Sequence, residues 1–279
     1  MGSRNRSDNR PILWVTTSWD DGYPLDTRLA ELLHRYGVAA TFYVPIRSQL
    51  PVMEPRQIRD LARMFDIGGH TVNHVRLDSV APEAAREEII QSKQMIEDIT
   101  GSPCRMFCPP GGRYLRSHLD DVREAGYSGL RTVELMSVAR PARRDGLMVM
   151  PTTLQLFPHG AAAYFKNALK RRRPENVKTY LLHGRRPGLP ETVDSILDSL
   201  VESGGVFHLW GHSWEMEHSR LWGVLESVLK RLDAHRDRCR FVSNAALCEH
   251  FEHMEEAADV APAGACAGGT FGLEDRAAR

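Results

Sequence analysis

Thr16-Thr-Ser-Trp-Asp-Asp-Gly-Tyr23 directly follows the apolar run Ile12-Leu-Trp-Val15. The run predicts a buried strand, and the glycine lets the chain turn where that strand ends. Neighbouring side chains of a strand point to different sides, so either Asp20 or Asp21 can hold a metal while the other faces a substrate or a bound water. Two buried like charges at this spacing would repel each other without a cation between them. The stretch therefore predicts a metal site at a strand end, with further ligands from elsewhere in the chain.

The composition is that of a globular protein. The 279 residues are 42% hydrophobic and carry 36 basic and 36 acidic side chains, which fits one large domain or two small ones. A net charge of zero argues against nucleic acid as a partner, and no apolar stretch approaches the roughly 18 residues of a membrane span. The first ten residues lack the apolar centre of a secretory signal, and the five cysteines do not suggest a disulfide framework. We therefore expect a soluble, cytoplasmic protein.

Strand-like and helix-like segments alternate along the chain. The predicted strands are 12–17, 38–44, 66–69, 106–108, 127–133, part of 147–156, 177–182, 206–210 and 241–243, and the predicted helices are 26–36, 55–65, 82–100, 117–125, 164–172, 191–202 and 221–232. This alternation predicts βαβ units and a parallel sheet, and about seven units favour a closed or nearly closed barrel. We expect a flexible leader over 1–10, a single domain over 11–251 and a disordered tail over 252–279.

Two histidines follow the predicted strand 66–69. Chemistry in such barrels lies at the carboxyl ends of the strands, so polar residues in these places are candidates for a site. His70 and His74 are four residues apart, and one helical turn would put both imidazoles on the same side. With a carboxylate from another strand end they would form a two-histidine, one-carboxylate metal site. A lone pair at this spacing is more often structural, but the Asp-Asp-Gly turn at another strand end favours the metal interpretation.

Two more segments follow predicted strands. In Phe107-Cys-Pro-Pro-Gly-Gly112 the prolines fix the backbone and the glycines allow close approach, so an N–H there could stabilise an oxyanion, although the segment alone favours a plain turn. In Phe207-His-Leu-Trp-Gly-His-Ser-Trp214, His212 follows a strand among aromatic residues, which suits a general acid. His208 is expected to be structural. His183 also follows a predicted strand and is the rival to His212, which is preferred because it precedes the final helix–strand pair.

These motifs occur in the order typical of one family. Trp19-Asp-Asp-Gly22, His70-x3-His74, Pro109-Pro-Gly-Gly112 and a late strand-end histidine resemble the polysaccharide deacetylase family, of the NodB-like or carbohydrate esterase family 4 type, over about residues 11–250. The resemblance implies a distorted (β/α)7 barrel, in agreement with the number of units. It also implies a hydrolase that removes an N-acyl group, usually acetyl, from an amino sugar.

The resemblance assigns roles to particular residues. It implies a divalent metal, usually zinc, with cobalt, nickel or iron as alternatives, and such an ion lowers the pKa of bound water toward ~7. The implied metal ligands are Asp21, His70 and His74. The implied general base is Asp20, the oxyanion donor is the Gly111 N–H, and the general acid is His212. The residues expected to contact the substrate are Pro110, Tyr114 and Trp210.

The chain departs from the family pattern in two places. Where the third motif usually has an arginine that pairs with the base aspartate, this chain has Cys108. Arg131 or Arg113 is a candidate replacement, and the sequence does not choose between them. Cys108 is a weak candidate nucleophile, because no separate activating base is evident. The usual fourth motif with aspartate and tryptophan is also missing, and Arg131-Thr-Val-Glu134 is its nearest counterpart.

The substrate is predicted only by class. Without an export signal, a small N-acetyl sugar, a nucleotide-sugar or another glycoconjugate is expected rather than a wall polymer. The basic clusters 140–144, 170–173 and 185–186 are usually solvated loops, but near the barrel mouth they could hold a diphosphate. Two alternatives stay open: an amidohydrolase or deformylase that acts on a non-sugar C–N bond, and a non-catalytic carbohydrate-binding relative. The sequence makes no prediction of the oligomeric state.

Overall fold

The computed structural model describes residues 11–260. The leader predicted over 1–10 and residues 261–279 of the predicted tail lie outside the described residues. None of the helices in the described part has the length and apolar character needed to cross a membrane.

Within residues 11–260, ten strands and ten α-helices alternate along much of the chain. The strands are β1 (Leu13–Asp20), β2 (Ala40–Val44), β3 (Asp66–Gly69), β4 (Met106–Phe107), β5 (Gly129–Arg131), β6 (Ala142–Arg144), β7 (Leu147–Met150), β8 (Leu154–Gln155), β9 (Gly205–Gly211) and β10 (Cys239–Phe241). The helices are α1 (Asp26–Arg35), α2 (Pro55–Ala62), α3 (Pro82–Thr100), α4 (Ser117–Glu124), α5 (Ala161–Arg171), α6 (Pro174–His183), α7 (Leu189–Ser203), α8 (Ser213–His218), α9 (Trp222–Ala234) and α10 (Asn244–Val260). Short 3₁₀ helices cover Leu77–Ser79, Pro110–Gly112 and Arg236–Arg238.

All the strands belong to one curled sheet. Its order is β6-β7-β5-β4-β3-β2-β1-β9-β8, and β10 pairs with the first half of β1. Every pairing is parallel except the β6–β7 hairpin. The expected α/β class and parallel sheet are confirmed. Strands β6 and β8 end the order, so the barrel is open between them rather than closed.

The side chains of β1 point alternately to the two faces of the sheet, and each face packs in its own layer. All eight of its residues are buried. Leu13, Val15 and Trp19 belong to the large core under the outer helices, whereas Trp14 belongs to a second cluster on the inner face of the sheet. Asp20 has the same parity as Trp14, so the strand directs its carboxylate toward the inner face.

Helix α10 covers this inner face, and it corrects the predicted tail. The helix runs from Asn244 to Val260, so the expected boundary between residues 251 and 252 falls within it. Phe251 packs on Trp14 with 6.1 Å between ring centroids, and Arg143 lies 3.3 Å from Glu252. The alanine- and glutamate-rich composition after residue 251 suggests disorder, but both residue types are strong helix formers once the first turns are anchored.

One predicted strand is wrong. Residues 177–182 lie in helix α6, which begins at Pro174 as the first helical residue and ends before Gly184. The buried residues of α6, Asn176 and Tyr180, are four positions apart, which is a helical spacing. The ring of Tyr180 stacks on Tyr164 at 4.6 Å between centroids. The segment predicted to contain one strand over 147–156 contains two, β7 and β8, on opposite sides of the opening in the sheet.

Candidate metal centre and active site

The predicted site residues come together at the carboxyl edge of the sheet. Asp20 is the last residue of β1, and His70 and His212 directly follow β3 and β9. Cys108 directly follows β4, and Arg131 is the last residue of β5. Because parallel strands all end at the same edge, residues up to 192 positions apart in the sequence become neighbours.

Asp21 forms a compact donor set with two histidines. Its Oδ1 lies 3.0 Å from His74 Nε2 and 3.5 Å from His70 Nε2. Burial raises the pKa of the Asp21 carboxyl, but the hydrogen bonds from His70 and His74 outweigh it and hold that pKa well below its usual range. The carboxyl is therefore an anion that faces two imidazole nitrogens.

A loop, not a helical turn, brings the two histidines together. Thr71 and His74 have left-handed φ angles of 62° and 53°, which an α-helix does not contain. Glu88 on α3 fixes the loop, since its Oε2 accepts hydrogen bonds from the N–H groups of Val72 and Asn73 at 2.8 and 2.9 Å. The expected helical turn at His70 and His74 is thus wrong, although the two side chains meet as expected.

The donor set fits a divalent metal. Tetrahedral zinc with bonds of about 2.05 Å places its ligand atoms ~3.3 Å apart, close to the spacing found here. His70 Nδ1 lies 2.6 Å from the Cys108 carbonyl oxygen, so Nδ1 keeps its proton, and Nε2 could give up its own proton to a bound metal in place of the hydrogen bond to Asp21. Trp214 Nε1 donates to Asp21 Oδ2 at 2.8 Å, which leaves Oδ1 for the ion.

A second group of potential ligands, Asp20, His70 and Cys108, is also compact. It is a poor metal site, because His70 Nδ1 already bonds to the Cys108 carbonyl and Asp20 Oδ1 to Arg131. Burial raises the pKa of the Cys108 thiol well above its usual range, so the sulfur is neutral rather than an anionic ligand or nucleophile.

Asp20 pairs with Arg131. The guanidinium donates from Nη2 to Asp20 Oδ1, and Arg131 is fully buried. Arg113, the other arginine that the sequence offered, instead pairs with Asp78, with 2.7 Å between Nη2 and Oδ2. The contacts of the described residues leave Asp20 Oδ2 without a protein donor.

His212 lies on the other side of Asp21, with its Nε2 4.0 Å from Asp21 Oδ2. Its Nδ1 lies 2.5 Å from Glu215 Oε2, and the same oxygen accepts a hydrogen bond from Gln155 Nε2 at 2.9 Å. Burial lowers the pKa of His212, but the Glu215 hydrogen bond and the charges of Asp20 and Asp21 outweigh it and raise that pKa to about 9. His212 is therefore poised to carry a proton near neutral pH.

His183 and His208, the two other histidines that the sequence analysis considered, are not part of the candidate site. His183 ends helix α6, where its Nδ1 contacts Ser195 Oγ at 2.9 Å, so it does not follow a strand as expected. His208 is fully buried within β9, and its Nε2 contacts Ser18 Oγ at 2.8 Å. Burial and the charge of Arg131 lower the pKa of His208 well below its usual value, which fits the neutral, structural residue that the sequence predicts.

The loop after β4 leaves one backbone N–H without an acceptor among the described residues. The N–H groups of Gly112 and Arg113 donate to Pro109 and Pro110 within the loop, at 2.9 and 3.2 Å. Gly111 has φ 60°, is exposed, and its N–H donates no hydrogen bond among the contacts of the described residues. A free backbone N–H is one requirement of an oxyanion donor.

The three residues expected to contact substrate differ in access. Trp210 is only 7% exposed and packs with its ring 4.9 Å from the Arg131 guanidinium carbon, so little of its face is open to a sugar. Pro110 is buried and Tyr114 is half-buried. Of the predicted basic clusters, 170–173 comes nearest the candidate oxyanion loop, where Arg171 Nη2 donates to the Gly112 carbonyl at 3.1 Å.

The sequence did not predict the contact of Trp214 with the aspartate ligand, nor any role for Glu215 or Glu88. The sequence marks Glu215 only weakly. It is an acidic residue three positions after the strand-end histidine His212, which is typical of the first turn of a short helix. Trp214 stands in a motif that the sequence singled out, but its contact with Asp21 spans 193 positions. No local pattern marks Glu88, a half-buried residue of α3.

Fold and site together define an α/β half-barrel with two histidines and a carboxylate at its strand ends, flanked by a second carboxylate and a histidine whose pKa is raised. The sequence model of the family described as polysaccharide deacetylase matches residues 7–130. A peptidoglycan-N-acetylglucosamine deacetylase of Bacillus cereus is 31% identical over 123 residues, which cover 43% of this chain and 55% of that protein. These sequence matches cover less than half of this chain, and together with the fold they support a likeness to the polysaccharide deacetylase family.

Solved structures agree on the fold. A crystal structure from Mycobacterium smegmatis that is assigned to the polysaccharide deacetylases has a TM-score of 0.65 at 16% identity and covers 89% of this chain and 93% of its own. A chitin deacetylase from the fungus Colletotrichum lindemuthianum has a TM-score of 0.54 at 15% identity, with 86% and 88% covered. The chain spans about half the length of the curated relatives that it matches, 47% and 55%.

Proposed function

We propose that the protein is a metal-dependent hydrolase that removes an N-acyl group, above all N-acetyl, from an amino sugar or glycoconjugate. The observation that carries the proposal is the position of two proton-transfer groups beside one metal-type donor set. Asp20 adjoins Asp21 in the chain, and His212 Nε2 lies 4.0 Å from Asp21 Oδ2. A base for water and an acid for the leaving amine are the two groups that amide hydrolysis needs.

Asp21, His70 and His74 would hold the metal. When bound, a divalent ion supplies Lewis acidity, which lowers the pKa of a water molecule and polarises an amide carbonyl. Zinc suits two imidazoles and one carboxylate, and cobalt, nickel or iron are the alternatives to test. The Cys108 carbonyl and the Trp214 indole orient His70 and Asp21 for this role from outside the donor set.

The proton path uses the free atom of each flanking group. Asp20 accepts the proton of the attacking water at Oδ2, because Oδ1 is bound by Arg131. His212 gives its proton from Nε2 to the departing amine nitrogen, because Nδ1 is bound by Glu215. The Gly111 N–H donates to the carbonyl oxygen as negative charge develops on it.

The relatives support a sugar amide as the substrate class, and the particular kind of sugar is our proposal. The Bacillus cereus relative is named for a peptidoglycan N-acetylglucosamine substrate. We propose a small N-acetyl sugar, a nucleotide-sugar or another glycoconjugate, and the cytoplasmic location expected from the sequence stays a prediction. The non-sugar amidohydrolase or deformylase and the non-catalytic binding protein become outcomes of the test below.

The first experiment is elemental analysis of the purified protein. We expect about one equivalent of a divalent metal per chain, lost in His70→Ala and retained in His183→Ala. His183→Ala is the matched control, since it removes an imidazole that lies on α6 and contacts Ser195. Protein that holds no metal, even after incubation with zinc or cobalt, would contradict the hydrolase and favour the binding protein.

Activity is then measured as acetate and formate release. The panel contains N-acetylglucosamine oligomers, UDP-N-acetylglucosamine, N-formyl sugars and simple N-acetyl amides. Asp20→Asn and His212→Ala should keep the metal and lose turnover, whereas His183→Ala should keep both. Formate release alone would identify a deformylase, and loss of activity in His183→Ala would show that the acid is assigned to the wrong histidine.

A further inference from the structure

Arg131 crosses the inside of the barrel to reach Asp20. It is the last residue of β5, and three strands separate β5 from β1 in the sheet. Its guanidinium carbon lies 5.0 Å from the ring centroid of Tyr43 and 4.9 Å from that of Trp210. The cation is thus placed between two aromatic rings, with Asp20 as its only carboxylate partner among the described residues.

A buried guanidinium is expensive unless it is paired. Arg131 and Asp20 are 0% and 3% exposed, and little water reaches either charge. The only other acceptor that the described residues give Arg131 is the Thr132 carbonyl, 3.4 Å from Nη1. Taking away either member of such a pair leaves an uncompensated charge in the interior.

The residue at position 108 decides whether the Arg131 side chain can cross the inside of the barrel, and here it is Cys108. It follows β4, between β5 and β3 in the sheet, is 1% exposed, and belongs to the same buried cluster as Tyr43, whose ring faces the Arg131 guanidinium. Its side chain is small and neutral. An arginine at 108 would place a second buried cation beside Arg131 without a second buried carboxylate to match it.

We propose that Arg131 is the positioning residue of Asp20, and that the small, neutral side chain at Cys108 is the condition that lets Arg131 take this place. The bond to Oδ1 fixes the rotation of the carboxylate, so Oδ2 is the oxygen turned toward the attacking water. The role of Asp20 as a base rests on the proposed function, whereas the ion pair with Arg131 stands without it.

The pair itself is tested in metal-free protein by chemical unfolding of the wild type, Asp20→Asn, Arg131→Met and the double variant. Each single variant should lower the unfolding midpoint. The double variant should unfold at higher denaturant than Arg131→Met, because it contains no orphaned charge. This comparison stays informative if Arg131→Met fails to fold. A double variant no more stable than Arg131→Met would overturn the ion pair, whatever the enzyme's activity.

Positioning is tested by chemical rescue and by relocation of the charge. Arg131→Ala should lower kcat by about 100-fold, the lower end of general-base contributions, with KM and metal content unchanged. Millimolar guanidinium chloride should restore part of that kcat, whereas equal sodium chloride should not. Arg113→Ala, which removes the arginine that pairs with Asp78, should keep wild-type kcat and show no response to guanidinium.

The relocation variant is Cys108→Arg combined with Arg131→Leu. It should recover activity relative to Arg131→Leu, while Cys108→Arg alone should be impaired by its second buried cation. Loss of metal in Arg131→Ala, or a kcat that guanidinium does not raise, would overturn the positioning role and leave only a structural ion pair. If wild-type protein shows no hydrolysis, the proposed function fails, and the unfolding comparison still decides the pair.

Discussion

Replacing Glu215 with glutamine should make the reaction fail at alkaline pH and spare it at acidic pH. Glu215 Oε2 lies 2.5 Å from His212 Nδ1, and its hydrogen bond is the largest influence that raises the pKa of His212 to about 9. Glutamine keeps the size of the side chain but removes its charge. Without the carboxylate, the pKa of His212 should fall toward its ordinary value of 6.5.

The magnitude follows from the fraction of His212 that carries a proton. A fall in pKa from about 9 to 6.5 lowers that fraction about 30-fold at ~pH 8, and by less than about twofold at ~pH 6. Both values use the ordinary pKa as the end point, because burial lowers the pKa of His212 while the charges of Asp20 and Asp21 raise it. If His212 is the general acid, kcat/KM should fall by the same factors.

The assay is acetate release by Glu215→Gln and the wild type across this pH range, each with its full metal content. Glu217→Gln is the matched control, because Glu217 lies on the same helix but accepts from Trp222 Nε1 at 2.6 Å. We expect the control to follow the wild type at every pH. An equal loss at both pH values would show that Glu215 only shapes the site, and no loss at ~pH 8 would refute the link between Glu215 and the acid.

Three further predictions follow from contacts around the site. Trp214→Phe removes the donor to the aspartate ligand and should weaken metal binding about 10–100-fold by calorimetric titration. Gly69→Ala should destabilise folding by about 1–3 kcal/mol in chemical unfolding, since its Cβ would lie 2.1 Å from Tyr127 Oη, whereas Gly160→Ala meets nothing within 4 Å and serves as control. In metal-free protein, the raised pKa of His212 stabilises the fold fully below pH 6.5 and no longer does so above about 9. Unfolding should therefore become easier by on the order of 3 kcal/mol across that range, and a His212→Asn variant should lack this component.

The parts of the site that the sequence could predict depend on local patterns. An apolar run that ends in Asp20-Asp21-Gly22, and a short strand that ends at His70, each describe a strand and its carboxyl end. Parallel strands bring such ends together in any α/β barrel, so their meeting required no knowledge of the particular packing. The same logic correctly gave the class of the fold.

The parts that the sequence could not predict depend on how the sheet curls. The Arg131–Asp20 contact spans 111 positions and crosses the barrel interior, so no periodicity marks it, and Arg113 was an equal candidate. The strand predicted over 177–182 was wrong because a short apolar run suits a strand and a helix alike, and the proline at position 174 was the overlooked signal.

The site follows one rule at four side chains, each of which has one polar atom held by a partner and another turned toward the reaction. The held atoms are Asp20 Oδ1 by Arg131, Asp21 Oδ2 by Trp214, His70 Nδ1 by the Cys108 carbonyl and His212 Nδ1 by Glu215. Two of these partners lie on α8, a helix of six residues that directly follows His212. A small rotation of α8 would therefore change the metal ligand Asp21 and the acid His212 together, while Asp20, held from β5, would keep its orientation. Substitutions that loosen α8 should accordingly impair metal binding and proton donation in parallel, whereas substitutions at Arg131 should impair turnover without loss of metal.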